Sequence, residues 1–124
     1  MKANEYVANL FSARDIIHMA HLSTKSYARH KALGDLYDTI LDYIDNFVEV
    51  YQGMHELMDF TGIKADPIPE NAIVEYIQSL ISGVLIPAKN EFATDMEHYG
   101  HFVNDIETLI ADMYHSIYKL RFLE

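Results

Sequence analysis

The sequence predicts an all-α protein, a four-helix bundle, on three observations. Apolar residues recur at spacings of three and four in four separate stretches. Glycine, proline and short hydroxyl-rich segments punctuate those stretches. No run alternates apolar with polar residues as a half-buried strand would. The chain has 124 residues, half of them hydrophobic, which suits a single domain spanning residues 1–124 with enough apolar side chains for a core.

The first helix is predicted over residues 3–22, where Val7, Phe11, Arg14, His18 and His21 form one stripe at about 100° per residue. The stripe places His18 and His21 in line with core positions, facing inward or toward a partner. Ser23, Thr24 and Ser26 mark a break, and each can cap the helix that follows. The second helix is predicted over residues 27–52. Its apolar stripe is Leu33, Tyr37, Ile40, Ile44, Phe47 and Tyr51, and Asp35, Asp38, Asp42, Asp45 and Glu49 form an acidic stripe roughly opposite. His30 lies on the border between the two. Gly53 is the expected C-cap, and residues 54–60 read as a short amphipathic helix ended by Gly62. A third helix starts near Pro69 or Glu70 and carries Ile73, Ile77, Leu80, Ile81 and Val84, with Pro87 expected to kink or break it near Leu85. Thr94 and Glu97 have the form of a capping box. The fourth helix then runs to about Phe122 on the seam Tyr99, Val103, Ile106, Ile110, Met113, Ile117 and Leu120.

Composition excludes several function classes. There is no cysteine, so neither disulfides nor thiolate metal sites are available, in keeping with a reducing cytoplasm. Net charge is −10 with no lysine/arginine cluster, which argues against nucleic-acid binding. Residues 76–88 are nearly uncharged but too short to span a bilayer and contain Pro87, so no membrane segment is expected. Neither a Gly-x-Ser-x-Gly elbow nor a glycine-rich phosphate loop is present.

His18, His21 and His30 converge on the corner between the first two helices, and histidine with carboxylate is a ligand set for iron, manganese or zinc. A charged face opposite an apolar one is ordinarily just solvated, and a histidine on an apolar stripe is ordinarily hydrogen-bonded core. Asp112-x-x-His115, His98 and His101 fall on the outer side of the last helix and read as surface residues.

The pattern His30, Asp45, Glu49, following a histidine at the end of the first helix, resembles the Dps mini-ferritins of the ferritin superfamily. That resemblance implies a ferritin-like bundle with an extra short helix between helices two and three. It also implies a di-iron ferroxidase site shared across a two-fold interface: His18 or His21 with His30 from one subunit, Asp45 and Glu49 from its partner. Iron would be the cofactor, with zinc or manganese as substitutes. Where the family carries a carboxylate four residues after the second histidine, this chain has Gly34, and Asp38 is the nearest stand-in one turn on. The run from His21 to Leu33, with Tyr51-Gln52-Gly53 and Tyr118-Lys119-Leu120, is also similar to a family of short tailed-phage proteins, implying a bacterial host cytoplasm.

Two functions follow. The first is a metal-binding protein, at least dimeric, that oxidises Fe(II) at His18, His21, His30, Asp45 and Glu49. The second is a metal-free helical bundle that binds a phage or host protein or a small molecule, with the histidines and Tyr27 lining a polar pocket or hydrogen-bonding in the core.

Overall fold

The computed structural model describes residues 2–124, and its regular elements are all helical among them. Helix α1 spans Ala3–Ser23, α2 Tyr27–Met54, α3 Ile73–Leu80, α4 Ile86–Phe92 and α5 Met96–Phe122. A turn of 3₁₀-helix (Glu70–Ala72) leads into α3, a π-helical turn (Ile81–Leu85) joins α3 to α4, and a second 3₁₀ turn (Ala93–Asp95) reverses the chain into α5. Helices α1 and α2 pack as a hairpin, α5 packs on α2, and α3 and α4 pack on α5.

The first connection is short because the residues that end one helix also start the next. Ser23 donates its hydroxyl to the Met19 carbonyl, Thr24 accepts the Ser26 amide, and Ser26 caps α2 by accepting the Arg29 amide. The line of α1 that faces the core is Tyr6, Leu10, Ala13, Ile17 and Ala20. This lies one residue, about 100°, from the predicted stripe. Val7 is buried with that line, while Phe11, Arg14, His18 and His21 are half-buried along the border with α2. On α2 the buried side chains are Ala32, Leu33, Leu36, Ile40, Ile44, Phe47 and Val48, and all five acids of the second stripe are exposed. Each large apolar side chain taken from water contributes about 1.5–3 kcal/mol. Phe47 is the centre of an aromatic cluster with Tyr6, Phe92 and Phe102.

The structure differs further from expectation at the helix ends and in the connection after α2. Gly53 does not end α2, which runs on to Met54; Gly62, at φ 78°, is the glycine with the left-handed backbone. The short helix expected at residues 54–60 does not form. Residues 56–69 are irregular, with Met58 donating its amide to the Gln52 side chain, Lys64 donating to the Ser12 hydroxyl and Phe60 edge-on to Phe11. Pro67 and Pro69 exclude helix only at the far end of this segment. The α-helix is interrupted near Leu85, as Pro87 implies: the π turn Ile81–Leu85 widens the helix just upstream, where the proline ring would meet the preceding turn, and α4 begins with Pro87 in its first turn. The cap of α5 is Asp95, which accepts the His98 amide at 3.3 Å; Thr94 instead donates to the Glu91 carbonyl at 2.7 Å.

Arg29 ties the hairpin to the other helices. Its Nε donates to the Glu70 carboxylate, one terminal nitrogen to the Leu120 carbonyl at 2.8 Å and the other to the Glu70 carbonyl at 3.3 Å. The start of α2, the entry to α3 and the end of α5 are thereby fixed together. Deeper in the core the Tyr6 and Tyr43 hydroxyls share a hydrogen bond of 2.7 Å, and burial pushes both well above the ordinary tyrosine value.

Candidate functional site

The helical spacing that puts His18 and His21 near the end of α1 and His30 near the start of α2 brings the three together at the hairpin corner. The rings of His21 and His30 stack, centroids 3.7 Å apart and planes inclined by 18°. Each bonds the other's backbone: His21 Nδ1 lies 2.5 Å from the His30 carbonyl oxygen, and His30 Nδ1 lies 2.8 Å from the His21 carbonyl oxygen. A carbonyl oxygen only accepts, so both Nδ1 atoms carry the proton. The reciprocal bonds satisfy a carbonyl in the last turn of α1 and lock the two helices in register.

Gly34 makes this lock possible. A Cβ at position 34 would stand 2.9 Å from His21 Cε1 and 3.1 Å from His21 Nδ1, closer than a side chain tolerates. The space that a side chain at position 34 would fill is therefore occupied by the His21 imidazole lying against bare backbone. A glycine in the middle of a helical pattern was the one signal in the sequence for this close approach.

From this lock a row of polar and aromatic groups runs back along α1. The His18 ring lies 6.0 Å from that of His21 and 4.2 Å from that of Tyr37. Arg14 donates to the Tyr37 hydroxyl at 3.2 Å, and its guanidinium sits 5.2 Å from the Tyr37 ring centre. Its Nε is buried without a hydrogen-bond partner. The row opens into a groove of 370 Å³ whose α1 wall is His18 and His21. Its α2 wall includes His30, Gly34, Tyr37 and Asp38, with Tyr27, Lys31 and Asp35 at the rim. Tyr27 is 78% exposed and the neighbouring Leu22 67%. Of these residues, sequence reasoning singled out the histidines, Tyr27, Gly34 and Asp38, and passed over Lys31 and the Arg14–Tyr37 pair as groove residues.

The remaining expected ligands lie elsewhere. Asp45 and Glu49 are exposed on α2, fifteen and nineteen residues beyond His30, which at the α-helical rise is about 22 and 28 Å along the axis. Among the described residues no group of three or more histidine or acidic side chains is arranged to hold a metal ion. The stacked rings explain part of this. A metal bound to an imidazole lies in the ring plane about 2 Å from the nitrogen. Two planes 3.7 Å apart and inclined by 18° meet only at a distance on the order of 10 Å, so His21 and His30 as placed do not chelate one ion. The iron site read from the mini-ferritin likeness thus does not fit the residues of a single chain. His98, His101, Asp112 and His115 are exposed, as their positions on α5 imply.

A family model described as a family of unknown function (DUF5856) matches residues 21–120, which takes in His21, His30, Gly34 and every later element. The chain is also similar to an uncharacterized 14.6 kDa protein in the mobD-ri intergenic region of Enterobacteria phage T4. The two are 48% identical over 70 residues, 56% of this chain and 50% of the relative. The chain thus spans about half the length of the curated relative it matches, and the match supports a bacteriophage origin. No solved structure matches.

Proposed function

We propose, from the premise that the chain belongs to the DUF5856 family of unknown function, that it is an all-helical binding module that acts without a bound metal in an infected bacterium. The groove between α1 and α2 is its binding face, and its partner is a phage or host protein. The observation that carries this reading is the reciprocal His21–His30 lock. It commits both Nδ1 atoms and the stacked ring faces to holding the hairpin together, while the same rings form the wall of an open groove. The exposed Tyr27, which lines the groove, and the exposed Leu22, next to His21 in the chain, supply the apolar contact area that protein interfaces favour.

Ferritin chemistry ranks below this reading. It needs Asp45 and Glu49 from a second chain, and where His21 rather than His18 is the partner of His30 it needs the two rings to abandon the stack. The helical packing, an α1–α2 hairpin with α5 packed on α2, serves in this account as scaffold alone.

The test is a photo-crosslinking amino acid at position 27 in infected cells, with position 115 on the exposed side of α5 as control. Discrete adducts from position 27 and none from position 115 are the expected result. Identical adducts from both positions, or none from position 27, contradict it.

A further inference from the structure

Resting on that reading, we propose that the groove accepts the arginine or lysine side chain of a basic segment on the protein partner. The first argument is the direction of the hydrogen bonds. Because His21 Nδ1 and His30 Nδ1 donate to backbone carbonyls, the Nε2 atom of each neutral imidazole presents a lone pair. Two walls of the groove therefore offer acceptors, and a ligand that offers acceptors of its own is mismatched.

Charge points the same way. Asp35 and Asp38 line the groove. Asp35 is already approached by two cations of this chain, Lys31 Nζ at 3.9 Å and Lys119 Nζ at 4.0 Å. Asp38 has no ion pair among the described residues and is exposed. The net charge of −10 draws cationic segments in and repels acidic ones. The lysine at the rim, Lys31, leans on Asp35, so it does not convert the groove into an anion site.

The third argument is aromatic. The Arg14 guanidinium already occupies this row, over the Tyr37 ring and bonded to its hydroxyl, so the chain itself demonstrates the pairing. Tyr27 offers a second ring beside the open volume. A pocket of 370 Å³ lies at the lower end of the range that takes small groups and single side chains.

The experiment is an NMR titration of the full chain with the peptide acetyl-Gly-Arg-Gly-Arg-Gly-amide, run beside the citrulline and the glutamate versions. The arginine peptide is expected to shift resonances of His18, His21, His30 and Asp38 saturably, and the citrulline peptide to bind at least about threefold more weakly. Asp38→Asn should weaken the arginine peptide about threefold or more, while Asp45→Asn, on the same helix but outside the groove, leaves it unchanged. Equal binding of the citrulline peptide overturns the inference, as do shifts spread evenly over Asp42, Asp45 and Glu49 or no shift in the groove. Groove shifts from the glutamate peptide alone also overturn it, yet leave the groove standing as a binding face. Loss of crosslinking at position 27 with the arginine titration intact removes the protein-partner reading and leaves the cation chemistry in place.

Discussion

Replacing Gly34 with alanine separates two opposing effects that the structure places at one atom. Alanine in a helix interior is ordinarily favoured over glycine by about 1 kcal/mol. Here the added Cβ would come within 2.9 Å of His21 Cε1, and the ring cannot swing away freely, because its Nδ1 is bonded to the His30 carbonyl and its face is stacked on His30. Displacing it forfeits a hydrogen bond of about 1 kcal/mol and a ring contact of about 0.5–1.5 kcal/mol. Gly34→Ala should therefore be between neutral and about 1.5 kcal/mol destabilising. Gly100→Ala is the control: its Cβ would stand an ordinary 3.6 Å from Met96 Cε, so it should gain most of the propensity term. Urea unfolding of the two variants measures the gap, about 1–2.5 kcal/mol. In a His21→Ala background the obstacle is gone, and Gly34→Ala should there be stabilising by about 1 kcal/mol, completing a double-mutant cycle. If Gly34→Ala stabilises the wild-type chain as much as Gly100→Ala does, the histidine lock does not have the rigidity argued here.

Further outcomes follow from the other contacts. Arg29→Ala should destabilise by about 2–3 kcal/mol in urea unfolding, and Arg29→Lys should recover less than half of that, because an ammonium cannot reach Glu70 and the Leu120 carbonyl with a guanidinium's fixed fork. Burial holds the Tyr6 and Tyr43 hydroxyls well above their ordinary value of 10.0 and pushes Tyr76 up to about 12. The native chain thus keeps protons that the unfolded chain releases near pH 10, so stability is full below pH 10 and falls as pH rises toward 12 and beyond. Unfolding followed across that window should show the fall, and Tyr76→Phe should make it shallower; a flat profile contradicts the burial of these hydroxyls. Anaerobic Fe(II) titration should show no saturable site. Tight binding of two ions per chain, lost in both His30→Ala and Glu49→Ala, would restore the shared ferroxidase reading.

Much of the architecture was legible because helix periodicity is a local signal. The extents of α1 and α2 to within two residues, the start near Glu70 and the long α5 all follow from apolar spacing. The misplaced stripe on α1 has a simple cause. Val7, Phe11, Arg14, His18 and His21 and the true core line Tyr6, Leu10, Ala13, Ile17 and Ala20 have the same periodicity, and small Ala13 and Ala20 carry little hydrophobic weight in a pattern although both are buried. The missing short helix after α2 and the π turn before Pro87 depend on how backbone bonds are redistributed around proline and glycine, which side-chain periodicity does not report. At the groove the histidine cluster was legible from position alone. Its chemistry was not, since the choice between chelation and a reciprocal backbone lock depends on ring orientation and on the space that Gly34 leaves.

The protonation state of the two stacked histidines is the most direct measurement of the central claim, that His21 and His30 lock the hairpin and turn acceptors toward the groove. Long-range ¹H–¹⁵N correlation of the imidazoles at neutral pH distinguishes the tautomers. The account predicts the Nδ1–H form for both His21 and His30, with Nε2 unprotonated. The Nε2–H form at either residue would contradict it.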